Sequence, residues 1–456
     1  MEIKEQNIIE SGDKRALAYL KAVKTRRVFP DPQALTSLTA FDEPLSELGF
    51  DAEDTLALLD DIGSPATVTS NGPRYFGFVV GAALPVAAAA ERLMLAWDNG
   101  APLHLTSPAC AKVEEVAAQW LVDILDLPPQ SAVGFGTSAS ASNLVCLATA
   151  RRKLLMNAGW DSDKRGLFGA PEITVVVSEK VHITVLKSLR ILGFGTERIK
   201  FAQVDRNGAI DFEKLPSIDS RTIVCLQAGE VNTGEFDPIK AIATKAQQHG
   251  AWVHVDGAFG LWARASSKLK HHTDGMELAD SWAVDGHKWL NTPYDCAMAI
   301  CKDPAALAAA MNSDAVYANG SSTAQKNLNI EFSRRARGVP VWAALRTLGR
   351  AGVAAMIEKH CEQARELALA LRDSGFEVMN RVVLNQVLVR GQDDAETKAI
   401  QGHVHDEGKV WFGTSMWDGH AAFRLSISSW RTTDDDISIL IEAIKTARES
   451  YRRQRD

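Results

Sequence analysis

The chain has 456 residues, of which 46% are hydrophobic and 23% charged, with 50 Lys+Arg against 57 Asp+Glu and a net charge of −7. This mixture excludes a disordered or fibrous chain, and the length suggests two or three domains with sizeable cores. The mild acidity argues against sequence-independent nucleic-acid binding, which draws on a basic face.

Six scattered cysteines (Cys110, Cys146, Cys225, Cys296, Cys301 and Cys361) form no C-x-x-C pair. They read as reduced, buried thiols and point to a cytoplasmic protein. The first fifteen residues have no apolar core, so no secretory signal is expected there. The uncharged stretch 75–90 is too short to span a bilayer and is broken by Gly77, Gly81 and Pro85, so no membrane partner is expected.

Residues 1–75 read as polar and helical, an arm suited to packing on another element or subunit. Ser107-Pro108 opens a helix, with Val113, Val116, Trp120 and Ile124 at helical spacing. The small-residue run 134–143 (GFGTSASASN) reads as a turn leading into a helix from Leu144 to Leu155. Strands are expected at 173–177, 222–226, 251–255, 281–284 and 297–300, with helices at 185–192 and from Asp237 to about Gly250. This alternation implies an α/β fold with a mostly parallel central sheet. After Arg350 a long helix, short strands near 382–389 and 422–427 and a final helix from Asp434 form a smaller α+β part. The expected division is 1–80 as arm and dimerisation segment, 81–345 as large domain and 346–456 as small domain.

Ligands of such sheets bind beyond the carboxyl ends of the strands, where several chemically useful groups fall. Ser138, Ala139 and Ser140 would offer N–H groups and hydroxyls to a phosphate at a helix start, or form an ordinary cap. Asp256, closing a buried strand, needs either a structural cation or a protonated ring nitrogen. Lys288, flanked by Val284, Trp289 and Leu290, is an amine nucleophile in apolar surroundings or a snorkelling surface lysine. His182 is a core histidine or a ring stacked on a cofactor. Together these are the parts that pyridoxal phosphate chemistry needs.

The chain resembles the pyridoxal-phosphate-dependent group II amino-acid decarboxylases, in the branch that acts on aromatic amino acids. Ser107-Pro108-Ala109-Cys110 resembles that family's S-P-A segment and Ser138-Ala139-Ser140 its phosphate turn. His254-Val255-Asp256-Gly257-Ala258 matches H-V-D-x-A, His287-Lys288-Trp289-Leu290 matches H-K-W-L, and Ser333–Arg337 resembles R-R-x-R. The similarity runs from about residue 72 to 350 in the same order. It implies fold type I, as in aspartate aminotransferase, and α-decarboxylation of an L-amino acid, aromatic or otherwise apolar, to an amine. It also implies a homodimer whose arm wraps the partner.

The resemblance implies roles as well. Lys288 holds pyridoxal 5'-phosphate as a Schiff base, Asp256 faces the ring nitrogen, and His182 and Ala258 pack on the two ring faces. Ser138, Ala139, Ser140 and His287 hold the phosphate; Asp285, and Asn232 in the turn after the 222–226 strand, are also expected at the cofactor. Two departures stand out. The family's mobile-loop tyrosine is missing, since residues 318–331 contain no aromatic residue, which leaves Tyr317, His182, a water or a partner group as proton donor. An aldehyde-forming oxidative decarboxylase is therefore the first alternative, ahead of a carbon–carbon lyase or aminotransferase. The segment expected to meet the substrate is aliphatic, with Phe76, Phe78 and Gly81 as candidates. His403 and His405 alternate as on a strand, but no cluster completes a metal site.

Overall fold

The computed structural model describes residues 2–313 and 321–455. The chain forms two compact units, one of residues 1–82, 366–379 and 388–456 and the other of residues 83–365 and 380–387.

The larger unit is built on seven strands: β1 (Ala132–Gly136), β2 (Thr174–Ser178), β3 (Ile199–Ala202), β4 (Thr222–Gln227), β5 (Trp252–Asp256), β6 (Ser281–Asp285) and β7 (Ala297–Cys301). Their order is β1-β7-β6-β5-β4-β2-β3. Strands β3, β2, β4, β5 and β6 are parallel, while β7 runs antiparallel to both β6 and β1. β1 therefore points the same way as β6, and the carboxyl ends of β1, β2, β5 and β6 share one edge. Every residue of β4 to β7 is buried. Sheets covered on both faces select such continuous apolar runs.

Two strands differ from the sequence expectation. Residues 134–136 belong to β1, not to a turn, and the helix after it begins at Ala139, five residues before Leu144. β1 needs small residues because chain packs directly on it: a Cβ at Gly134 would lie 2.0 Å from the Leu328 carbonyl oxygen. The neighbouring segment 325–329 is buried and anchored. Gln325 accepts from the Phe135 N–H (2.9 Å) and donates to the Val133 carbonyl (3.0 Å), completing the β1 edge. The stretch 318–331, read from sequence as a mobile loop, is thus fixed over its second half. β3 was not expected at all.

The helix Pro108–Ile124 also turns a different face inward. Cys110, Glu114, Ala117 and Leu121 are buried, and Ile124 is buried as expected, whereas Val113, Val116 and Trp120 are half-buried. Glu114 occupies that face because Arg334 meets it through two bonds, of 2.5 and 2.8 Å, with neither side chain more than 1% exposed. The other arginines of the R-R-x-R segment also serve structure: Arg335 and Arg337 both bind Asp295, at 2.8 and 3.1 Å.

A second sheet is formed by β8 (Glu377–Val378), β9 (Gln386–Arg390), β10 (Gly413–Trp417) and β11 (His420–Ser426), in the order β10-β11-β9-β8. Residues 1–82 join this part of the chain: the Val28 N–H donates to the Gly408 carbonyl (2.8 Å) and Arg27 Nη1 to the Glu407 carbonyl (3.0 Å). The final helix, Asp434–Arg453, starts with a reciprocal Thr433/Asp436 capping box. His403 and His405 lie on the helix Asp394–Glu407, not on a strand. The His405 ring stacks on Trp411 (5.2 Å), and its Nε2 meets the Phe412 carbonyl at 2.9 Å. Among the described residues no group of three or more His, Cys, Asp or Glu side chains could hold a metal ion. None of the helices among them is long and apolar enough to cross a membrane.

Candidate active site

Asp256 and Asp285 end the parallel neighbours β5 and β6, and His287 and Lys288 follow at once. The Asp285 carboxylate, 2% exposed, is the hub of this edge. Its Oδ1 accepts the Ala139 N–H at 2.7 Å and lies 3.7 Å from His287 Nε2. Its Oδ2 lies 2.9 Å from Lys288 Nζ. Ala139 opens the helix after β1, so the buried anion is offset by a helix N-terminus and a cation together. Lys288 is thus not the isolated amine among apolar neighbours that its flanking sequence suggests. It is ion-paired, and its side chain keeps 21% of its surface exposed.

Ser138 caps the same helix, accepting from the Ala141 N–H at 3.4 Å. Ser138 and Ser140 are half-buried beside the buried Ala139. His287 Nδ1 accepts from the Cys296 N–H (3.2 Å), which leaves the proton of the neutral ring on Nε2, the atom nearest Asp285. Burial holds this imidazole below its ordinary range against the opposing Asp285 charge. The His287 ring stacks on Tyr294 at 4.2 Å. Desolvation, with the Asp285 charge second, pushes the Tyr294 phenol up to about 12, so it stays a proton donor. Sequence reasoning passed over Tyr294.

Asp256, 7% exposed, accepts from the Ala258 N–H at 3.1 Å and from Asn143 Nδ2 at 3.0 Å. Asn143 is a second residue missed from sequence. It lies one helical turn after Ala139, on the inward face of the helix. His182, after β2, caps the helix Ile183–Ile191 with Nδ1 accepting from the Thr184 N–H (3.4 Å), and its own N–H donates to Gln227 Oε1 (3.1 Å). Asn232 turns its amide to the buried Glu230 (3.0 Å).

Phe76, Phe78 and Gly81 belong to the unit containing residues 1–82. Phe76 is 1% exposed, so its ring is core packing there and presents no surface to a substrate, whereas Phe78 is 61% exposed. Tyr317 lies outside the described residues.

The test of fit for pyridoxal phosphate rests on Asp256. Among the described residues no Lys or Arg pairs with this buried carboxylate, an arrangement that is costly without a cation. A protonated ring nitrogen is a cation of the right kind. The amine of Lys288 and the N–H groups at the Ala139 helix start supply the other two parts, so the residues present fit the group.

Comparison with known proteins agrees. Residues 44–391 match the pyridoxal-dependent decarboxylase conserved domain. Tryptophan decarboxylase 1 of Oryza sativa subsp. japonica is 25% identical over 94% of this chain and 90% of its own length. Phenylacetaldehyde synthase of Arabidopsis thaliana is 26% identical over 73% of each chain. The fold is that of the crystal structure of Oryza sativa TDC with PLP and tryptamine, at a TM-score of 0.91 and 22% identity over 99% of both chains. With the family domain spanning most of the sequence, the chain belongs to the pyridoxal-dependent decarboxylase family, as a carboxy-lyase that uses pyridoxal 5'-phosphate to decarboxylate an amino acid.

Proposed function

We propose that this enzyme removes the α-carboxylate of an L-amino acid with an aromatic or otherwise apolar side chain, releasing CO2 and the amine. The observation that carries the reading is the pairing of an amine and an unpaired buried carboxylate, Lys288 and Asp256, on adjoining strand ends. When bound, the cofactor supplies an electron sink for the pair left behind by CO2. Lys288, whose amine lies 2.9 Å from Asp285 Oδ2, would hold the cofactor aldehyde. Asp256 would keep a proton on the ring nitrogen, and His182 and Ala258 would pack against the ring. Ser138, Ala139 and Ser140, at the helix start, would hold the phosphate together with His287. Asp285, an acceptor already engaged with Ala139 and Lys288, orients these donors in our reading. Asn232, held by Glu230, is a further cofactor-facing candidate. Phe78 is the substrate candidate that the burial pattern favours.

The carbon that loses CO2 must regain a proton, from Tyr317 or, failing that, from His182 or the Tyr294 phenol beside His287. The sequence 318–331 offers no aromatic donor. That observation favours one second reading, in which oxygen diverts the reaction to an aldehyde, the product named for the Arabidopsis relative. A cytoplasmic homodimer with residues 1–80 wrapping the partner fits the six free, buried cysteines and the exposed apolar side chains Leu93, Leu95, Trp97 and Leu105.

The test is incubation of the cofactor-loaded enzyme in air with each of the twenty L-amino acids, with products identified by mass spectrometry. Amines from aromatic or apolar substrates support the first reading and aldehydes the second. Amines from charged substrates alone would overturn the assignment of side-chain class.

A further inference from the structure

Behind Asp256 lies a row of buried polar side chains on three elements. Asn143 Nδ2 is 3.0 Å from Asp256 Oδ2, and Asn143 Oδ1 is 2.8 Å from His254 Nε2. His254 Nδ1 is 3.0 Å from Ser281 Oγ, to which Trp252 Nε1 donates at 3.0 Å. Asn143, His254 and Ser281 are each fully buried, and His254 and Ser281 are direct partners across β5 and β6.

The chemistry of these groups admits one order of donors. An ionised carboxylate only accepts, so Asn143 turns its NH2 to Asp256 and its carbonyl oxygen to His254. That oxygen also only accepts, so His254 Nε2 carries a proton. Burial, the largest influence, pushes the His254 imidazole down to about 4 despite the Asp256 charge. The ring is therefore neutral near pH 7 and Nδ1 has none. Ser281 must then donate its hydroxyl proton to Nδ1, and its oxygen is left to accept from Trp252. The competing arrangement, Nδ1–H donating to the nearby Ser281 backbone carbonyl, would set two acceptors face to face at Asn143.

We propose that Asn143, His254 and Ser281 are positioning residues for the decarboxylation, forming a one-way hydrogen-bond chain that orients the Asp256 carboxylate for the ring nitrogen of pyridoxal phosphate. The proposal rests on the reading of Asp256 as the partner of that nitrogen. A chain of this sense ends in a donor at Asp256, and a hydrogen bond to a charged group is worth roughly ten- to hundredfold in an equilibrium.

Two measurements test it. In the apo protein with 15N-labelled histidine, NMR should show His254, assigned by its loss in His254→Gln, with Nε2 protonated and Nδ1 bare. A protonated Nδ1 overturns the proposal, whatever the cofactor does.

Second, titration binding compares pyridoxal phosphate with the analogue carrying C–H in place of the ring nitrogen. The wild type should favour the natural cofactor. Asp256→Asn should abolish that preference, and Asn143→Ala should cut it by about tenfold or more while affinity for the analogue holds within about threefold. Ser281→Ala, lacking one remote oxygen, should cut it in the same sense but by less. Equal losses for both ligands would mean a structural role only and overturn the proposal, as would an unchanged preference in Asn143→Ala. If Asp256→Asn itself keeps the preference, the reading of Asp256 fails instead, independently of the tautomer.

Discussion

Replacing Arg334 by Met should be among the costliest single changes in the larger unit. The side chain is fully buried and delivers two hydrogen bonds to Glu114, one to the Ala101 carbonyl (2.9 Å) and one to the Phe135 carbonyl (3.2 Å). Methionine fills similar space but leaves the Glu114 carboxylate with the Gly338 N–H (2.9 Å) as its remaining partner. Breaking a buried pair in this way costs about 3–5 kcal/mol, mostly as the desolvation of the orphaned charge. For a unit of about 290 residues the shift is about 1–2 °C per kcal/mol, so the melting temperature should fall by roughly 5–8 °C. Glu114→Gln alone should also be costly. The double variant Glu114→Gln/Arg334→Met should cost less than the two singles added together, because no buried charge is left. Urea melts of the four proteins give the coupling energy. A single-variant loss below about 1 kcal/mol, or additive losses in the double variant, would refute the view that Arg334 is retained to neutralise Glu114.

Lys288→Ala should remove the visible absorbance band of the bound cofactor, and survival of that band would show that another amine anchors it. His254, folded at about 4 against 6.5 unfolded, stays neutral in the native state while the unfolded chain takes up a second ring proton. Its contribution to stability is therefore complete above pH 6.5 and is lost as the pH falls toward 4, by about 2 kcal/mol at pH 5. Asp237, raised to about 7 chiefly by burial, works in the opposite sense. The clean observable is thus the difference between wild type and His254→Gln in urea midpoint at pH 7 and pH 5, where the variant should show the smaller acid loss. A Cβ at Gly77 would lie 2.0 Å from Trp411 Cζ3, inside a ring that stacks on Tyr75 at 4.8 Å. Gly77→Ala should cost about 1–3 kcal/mol and perturb the near-ultraviolet tryptophan signal. An unchanged spectrum would mean that the ring moves aside freely.

Much of the sheet is legible in the chain because its central strands are buried on both faces and so are written as short apolar or β-branched runs. The strands expected at 173–177, 222–226, 251–255, 281–284 and 297–300 each lie within a residue of those observed. β1 escaped because its Gly-Phe-Gly core reads as a turn. Those glycines answer the approach of residues 328 and 329, nearly two hundred positions away, which no local pattern records. His403 and His405 misled for a related reason: two residues cannot separate a period of 2 from the helical period when the packing partner, the 411–412 segment, is unknown.

The same division holds at the candidate site. Lys288, Asp256 and His182 are marked in the linear sequence, since each stands at or just after the end of a legible strand and strand ends face the ligand edge in parallel sheets, while the Ser138–Ser140 helix start is marked by its small polar residues. Their electrostatic partners are not marked. That Lys288 meets Asp285 is local, but that Asp285 also caps the Ala139 helix depends on β1 and β6 pointing the same way. The Asn143–His254–Ser281 row joins residues more than a hundred positions apart, and Glu114 is explained by an arginine 220 residues further on. Residue type and local period determine which groups stand at the edge. Which buried polar groups satisfy one another is decided by the tertiary fold, because a hydrogen bond or an ion pair acts over about 3 Å and only the folded chain brings such distant residues within that reach.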